Sequence, residues 1–499
     1  MTLRPLRSIF TFCKAIRVRP SKSVSSRGGV QLTPFEFSAA DYEENRHYFL
    51  AKYFREHYAE GMQSLPNVKT GINIGRVEVW VTNKSGSTAN TRNIVALTDL
   101  GENVNISNTH HWSTLGMTVP SNNANTEYTA MTGSFNAARD INQTSSVLDG
   151  AGLTGGNDYE KLESARLLTP SEYTVNKALG FISLNTGIST DQVVAVAFEY
   201  TYGGQTYQVG EFAADRTNVD EALFVKSLKN TNNVPSQGNW NLMMKNVYRL
   251  GDTVEKERFR LDIKYQSDTT GVYLNYIPEP QVKQQSIVKL LGADRLDNNN
   301  RPYSNGYFDY VEGYTVSNGR VFLPEPEPFG DDLYRRLVSK GVPVAKAKKY
   351  VFSELYDNTR TVAKQIAEKD KYELVGQFRG SSANVIALGA YNIPQGSVVV
   401  TAGGMRLTEG SDYSVDYSAG EVTILNQSIL DAGTPVNVSL ESNNDYGMQR
   451  KTMFGVNWEY DISRSLQLSG TLQHLSEQAM TNKVSMGSEP LNNTLWGLN

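Results

Sequence analysis

The sequence predicts a mainly β protein, α+β overall, in which long antiparallel amphipathic strands alternate with small β-modules and a short helical insert. Three observations predict it: sustained apolar/polar alternation near the C-terminus, a recurring strand–turn–strand motif, and helical periodicity confined to two segments. In Lys451–His474, Phe454, Val456, Trp458 and Tyr460 occupy alternate positions, and so do Leu466, Leu468 and Leu472. Asn457, Glu459, Gln467, Ser469, Thr471 and Gln473 take the opposite positions, with the polar run Asp461–Ser465 as the turn between the two arms. Successive side chains of a strand point to opposite faces, so the pair has one apolar and one polar face. A soluble antiparallel sheet with one wet face is the commoner use of such a pair. Each arm also approaches the ~9–11 residues that cross a bilayer at a tilt, and Trp458 and Tyr460 lie at the turn end, where a membrane barrel keeps its aromatic girdle.

Composition narrows the classes. With 499 residues, a net charge of -4 and 20% charged residues, the chain has room for several cores and no electrostatic case for nucleic acid. Mean hydropathy is -0.42, and no apolar run approaches the ~20 residues of a membrane helix, although a strand-built barrel leaves a weak hydropathy signal. A single cysteine, Cys13, excludes an intrachain disulfide and any multi-cysteine metal site.

In chain order, residues 1–27 are a basic leader (Arg4, Arg7, Lys14, Arg17, Arg19, Lys22) expected to be disordered. Its apolar stretch Ile9–Phe12 is too short for a secretory signal, so an export signal is expected to be absent from this stretch. Residues 28–105 read as a helix-on-sheet unit. Its helix, from Asp41 to Met62, carries an aromatic core stripe of Tyr42, Tyr48, Phe49, Tyr53, Phe54 and Tyr58 and is capped by Ser38 or Asp41; strands follow at 72–82 and 93–100. Residues 106–158 read as a polar Asn/Gly-rich loop, a flexible linker. Gly150, Gly152 and Gly155 match GxGxxG, with Glu172 beyond, but Thr144–Asp149 makes a poor strand to lead into a dinucleotide turn.

Residues 159–235 form a first β-module and 371–442 a second. Ser171–Asn185 and Ser411–Asn426 share a strand, a turn closing at Gly180 or Gly420, and a returning strand. Residues 281–330 hold a shorter echo that closes at Gly319. Residues 236–280 read as barrel-type strands, with Phe259, Leu261, Ile263 and Tyr265 alternating. Residues 331–370 read as a helical segment, and 443–499 as the barrel-type hairpin plus the start of a truncated strand.

No catalytic constellation is found. The histidines His47, His57, His110, His111 and His474 lack metal-ligand spacing, and GxSxG and P-loop patterns are absent. No cofactor, metal or cofactor-binding residue is expected, and the chain reads as non-enzymatic. Asp297–Arg301 with Asp309 resembles a calcium loop but lacks the Gly at its sixth position. Lys346, Lys348 and Lys349 read as a solvated face.

The segment Arg379–Gly404, running into the second motif, resembles one family. It is similar to the SprA/Sov family, the giant outer-membrane translocon of the Bacteroidota type IX secretion system, also needed for gliding motility. Further matching stretches are Thr33–Glu36, Tyr48–Phe54, Arg76–Asn83, Leu242–Asn246, Ala347–Tyr356, His474–Glu477 and Asn493–Asn499; the match begins at about Gly28. The resemblance implies a section of an incomplete outer-membrane β-barrel, the whole closing at ~36 strands, the upper end of known barrels. It implies a cell-surface location, outer-membrane lipid, secreted cargo with a C-terminal sorting domain, and a shuttle barrel and periplasmic plug as partners. It makes the apolar set of the hairpin lipid-facing and the polar set lumen-facing. Family members are several times longer, so this chain is expected to be an N-terminal-side fragment, inactive and aggregation-prone alone. A soluble cell-surface β-protein binding glycans or protein partners is the alternative.

Overall fold

The computed structural model describes residues 7–11, 21–26, 32–84, 88–103, 105–251, 253–379, 385–388, 396–417, 420–426, 428–429, 435–441, 450–463, 466–478 and 492–498. The protein is mainly β, with several antiparallel sheets and short helices. It divides into two units, Pro34–Ser381 and Met1–Thr33 with Ser382–Asn499.

The larger unit is built on a small closed barrel. Ile72–Val81 pairs with Val194–Tyr202, which pairs with Leu223–Lys229, then Thr91–Leu97, then Tyr159–Leu167, which returns to Ile72–Val81. One pair, Leu223–Lys229 with Thr91–Leu97, is parallel. Alternation separates two cores. Trp80, Ile94, Ala96, Leu162, Ala165, Ala195, Ala197, Leu223 and Val225 form one apolar cluster. Their neighbours Val79, Val95, Leu97, Val194, Val196, Phe198 and Phe224 belong to another, with Tyr53, Phe54 and Tyr58.

The aromatic stripe is core, as its spacing predicts, but it is not one helix. Ala39–Asp41 is a 3-10 turn, His47–Phe49 is a strand added to Phe181–Leu184, and Lys52–Glu56 and Tyr58–Gln63 are two short helices. The hairpin of the first module offers an edge, and backbone pairing to that edge outcompetes helical continuation through residues 47–49.

Residues 106–158 are not a flexible linker. Glu127–Thr132, Asn136–Arg139 and Thr144–Gly150 are helical, and Trp112, Met131, Ala138, Ile141, Leu148 and Leu153 are buried in the core around the barrel. Its polar residues are used inward: Asn125 Nδ2 donates to the carbonyls of Asp99 and Glu102 at 2.8 and 2.9 Å.

The recurring motif is a hairpin each time: Tyr173–Asn176 with Phe181–Leu184, Val316–Ser317 with Arg320–Phe322, and Tyr413–Asp416 with Glu421–Ile424. Gly180, Gly319 and Gly420 have φ of 68°, 71° and 71°. In both longer copies a carboxylate ties down the entry, Glu172 accepting from Thr169 N and Asp412 from Thr408 N, at 2.8 and 2.9 Å.

The strands expected to be barrel-type at 236–280 are corrected. Trp240–Leu242 is a 3-10 turn and Val247–Arg249 a short strand. Glu255–Gln266 is a long strand, but its alternating face of Phe259, Leu261, Ile263 and Tyr265 is buried with Ile287, Leu333, Leu337, Leu355 and Phe378. Alternation reports that one face is apolar and carries no information about what covers it. Here the cover includes the helical segment, which forms Asp331–Ser339, Val344–Ala347, Glu354–Asp357 and Arg360–Gln365. Tyr372–Arg379 pairs with this strand and so belongs to the larger unit rather than to the second module.

In the smaller unit, Val398–Ala402, Val436–Glu441 and Glu421–Ile424 contribute a core around Val400, Val422 and Val438. Two pieces of the leader expected to be disordered are strands: Ser21–Ser26 pairs with Val436–Glu441, and Arg7–Thr11 with Arg450–Ser463. Their short alternating sequences find open edges, whose unpaired backbone groups favour strand addition. Of the leader, residues 1–6, 12–20 and 27 lie outside the described residues.

Candidate functional site

The hairpin named by its alternation is present, with arms Arg450–Ser463 and Leu466–Gln478, longer than the spacing suggested. Its register puts Val456 opposite Leu472, Trp458 opposite Gly470 and Tyr460 opposite Leu468, so both apolar sets share one face. Asn457 lies opposite Thr471, Glu459 opposite Ser469 and Gly455 opposite Gln473, which gathers the polar set on the other face. A Cβ on Gly470 would collide with the Trp458 indole, so the glycine makes room for the ring to lie across the neighbouring strand.

A third strand, Asn492–Leu498, extends the sheet. Trp496 stands beside Leu472 and Leu498 beside Gly470, which widens the apolar face; Leu495 falls on the polar face beside Gln473. His474 and Thr494 hydrogen-bond across the strands at 2.8 Å, a polar border to the apolar band. Phe454 and Leu472 are exposed, Val456, Trp458 and Leu468 half-buried; on the other face Asn457, Glu459 and Thr471 are exposed, Ser469 and Gln473 half-buried. The side chains of Tyr460, Leu466 and Gln467 lie outside the described residues.

In the larger unit a cleft of about 660 Å³ opens between the loop around Asn105–His111, the turn Gly152–Asp158, the helix bearing Lys52 and Arg55, and Ser236–Asn241. The 105–111 loop is fixed from below by Asp99, whose carboxylate accepts from Ser107 N and Asn108 N at 2.8 Å each. Glu102 and Lys226 pair at 2.9 Å beneath it, both fully buried. A Cβ at Gly238 would collide with Ser107, and His111 packs on Gly152, whose φ is +86°, so glycines at these two places let the walls close in. The sequence reading had the pair His110–His111 and Gly152, but not Gly238 or the fold that brings them to Lys52 and Asn241.

The GxGxxG segment is not a phosphate loop. A helix, Thr144–Gly150, rather than a strand leads into it, and Thr154 N donates to the Asp158 carboxylate at 2.8 Å, where a phosphate would need that donor. In the calcium-like segment the carboxylates accept backbone N–H groups instead: Asp297 from Asn299 and Arg301, Asp294 from Asn305, and Asp309 from Arg295 and Leu296. Among the described residues no cluster of three or more potential metal-ligating side chains occurs. Lys346 and Lys349 pair with Glu279 at 2.9 Å and Asp268 at 3.1 Å.

One constellation escaped the sequence reading. Ser183 Oγ lies 2.7 Å from His47 Nδ1, and His47 Nε2 lies 2.8 Å from Glu43 Oε2, a Ser–His–carboxylate chain whose ring nitrogens are exchanged relative to a serine-protease triad. His47 is fully buried, Ser183 is buried opposite it in a strand pair, and Glu43 is also held by Arg46 and Arg320. With its serine enclosed in a sheet, this chain of bonds is a clamp that ties the 43–49 segment to the first module and to the short echo. Burial pushes His47 below its ordinary range, against its hydrogen bond with Glu43. Burial alone would raise Glu43, but hydrogen bonds from His47 and Arg320 outweigh it and hold the carboxyl well down.

The fold therefore favours neutral His47. Its contribution is fully present above the unfolded value of ~6.5 and is lost as pH falls below it. As pH falls below about 6.5 the unfolding free energy should fall by up to ~1.4 kcal/mol per unit from this residue. Denaturant midpoints across that range should show a flatter profile for His47→Gln; identical profiles would remove His47 as the cause.

Compared with known proteins, the chain matches no family model and no curated protein.

Proposed function

We propose that the chain contributes wall and attached modules to an outer-membrane protein-translocation channel of the type IX secretion kind that its sequence resembles. One observation carries the proposal: among the described residues an apolar face continuous over three strands is left largely uncovered. Phe454, Leu472, Trp496 and Leu498 are 39, 40, 76 and 64% exposed, while the alternate positions are mostly polar. In water a face of this kind asks for a partner, and in a barrel wall lipid supplies it. The fourteen-residue arm Arg450–Ser463 is long enough: at ~3.4 Å per residue and a tilt of ~40° it covers about 34 Å, against a ~30 Å hydrocarbon core.

In this reading the polar face, with Asn457, Glu459, Ser469, Thr471 and Gln473, lines the lumen, and the Pro34–Ser381 unit is a lumenal or surface module. The partners would be secreted proteins with a C-terminal sorting domain, a shuttle barrel and a periplasmic plug, as in the family resembled. No catalytic step is assigned to the chain.

The test is partition of the full chain into phospholipid vesicles, read by quenching of tryptophan fluorescence with brominated lipid. Leu472→Arg should weaken insertion by about 2–4 kcal/mol, whereas Thr471→Arg, one residue away on the other face, should change it little. Equal effects of the two substitutions would refute a lipid-facing role.

A further inference from the structure

The cleft between Asn105–His111, Gly152–Asp158 and Ser236–Asn241 lies wholly within Pro34–Ser381 and is independent of the sheet on which the proposed function rests. At about 660 Å³ it falls among sites that hold small organic ligands, ~300–1,000 Å³. Its lining contains no large aliphatic side chain, which sets it apart from pockets that take apolar ligands.

The fixed charges of the cleft are already matched within the protein. Lys52 Nζ donates to Asn105 O and Ser107 Oγ at 2.5 and 2.8 Å and lies 3.8 Å from Asp99. Arg55 pairs with Glu327, and Glu56 accepts from Asn105. Asp158 accepts from Thr154 N at 2.8 Å and from Asn108 Nδ2 at 3.0 Å. Among the described residues every lysine, arginine and carboxylate of the lining therefore has a partner.

What remains for a ligand is a set of amide, hydroxyl and imidazole groups. The side chains of Thr109, Ser236 and Asn241, and the rings of His110 and His111, make no hydrogen bond among the described residues. The two imidazoles meet edge to face with centroids 5.0 Å apart, and His111 leans on buried Trp112 at 5.9 Å. Amide and hydroxyl groups that donate and accept, beside a ring surface, match the hydroxyls and the C–H faces of a sugar. The walls are preorganised, since Asp99 fixes the 105–108 loop and Gln237 Nε2 binds Gly156 O at 2.6 Å.

We infer that this cleft is a binding site for an uncharged oligosaccharide, held by Asn241, Thr109 and Ser236 and lying against the rings of His110 and His111. The site is a carbohydrate subsite of the globular module, whatever surface the C-terminal sheet occupies.

Calorimetric titration of the full chain tests it, with cellotriose, maltotriose, mannotriose and chitotriose as neutral probes and ATP and oligogalacturonate as anionic ones. The expected result is binding of at least one neutral trisaccharide, with an affinity unchanged by raising salt from about 0.05 to 0.5 M. Asn241→Ala and the cleft-filling Thr109→Trp should each weaken that binding about tenfold or more while leaving the melting temperature unaltered. Leu472→Arg in the sheet should leave it intact, so failure here and failure of the membrane reading are separable. Binding confined to the anionic probes, no binding of any neutral probe, or neutral binding that survives Thr109→Trp overturns the inference.

Discussion

Replacing Glu211 with alanine is expected to lower the unfolding free energy by about 3–5 kcal/mol, the usual cost of breaking a buried ion pair from one side. Glu211 and Arg139 are both almost wholly buried and form a two-pronged bond, 2.7 Å from Nη2 and 2.9 Å from Nη1. The same carboxylate accepts from Arg216 at 2.5 Å, from the Tyr128 hydroxyl at 3.0 Å and from Phe224 N at 3.0 Å. Arg139 lies over the Phe224 ring at 4.0 Å. Glu211 thus fastens the 127–139 helical stretch to a strand of the barrel, and its removal strands a guanidinium where water cannot reach it. Arg139→Ala should cost a comparable amount, and the double variant less than the sum of the two, because neither charge is then left alone. Urea unfolding of the single variants and the double variant measures this. A loss below about 1 kcal/mol for Glu211→Ala would mean that the pair is solvated and not a fastening.

The second large effect is at a repeated glycine. Gly180→Ala is expected to cost about 2–5 kcal/mol, from two sources: ~1–2 for a side chain in the left-handed conformation and ~1–3 for overpacking. The conformation is φ +68°, and an added Cβ would overlap the ring of Phe54, which is buried against Phe198 and Tyr200. At Gly420, with φ +71°, the backbone alone is expected to contribute ~1–2 kcal/mol. Thermal or urea unfolding of the two alanine variants compares the positions directly. A loss at Gly180 of no more than ~1–2 kcal/mol would show that Phe54 yields to the methyl group and that only the turn conformation matters.

This pair of glycines also marks how far sequence reasoning reached. The turn glycine, the alternating arms and the aromatic positions follow from local rules of φ and periodicity, and all three were readable. The three hairpins, the 331–369 helices and the core role of Tyr42 through Tyr58 came from such signals. What covers a strand is a long-range property. The strand Glu255–Gln266 and the hairpin arms read alike, yet the first is packed beneath helices and other apolar side chains while Phe454 and Leu472 stand open. Residues 106–158 were misread because their polarity suggested solvent, whereas Asn125 and Arg139 spend it on buried partners. The cleft could not be seen either, since Lys52, His111 and Asn241 are brought together only by closure of the barrel and the packing around it.

That closure bears on how the chain is made. Val194–Tyr202 lies against Ile72–Val81 along its whole length on one side, and on the other serves both Gln205–Val209 and Leu223–Lys229. A ribosome adding ~5–20 residues per second needs roughly 7–26 s to travel the ~130 residues between the first strand and this one. Until then Ile72–Val81 has an open edge, and the edge of Thr91–Leu97 stays open until Leu223–Lys229 follows and closes the small barrel. The nascent chain therefore passes through an interval of unpaired, β-rich sequence that a holding chaperone would need to cover, and release from that protection is timed by the emergence of Val194–Tyr202 and then Leu223–Lys229.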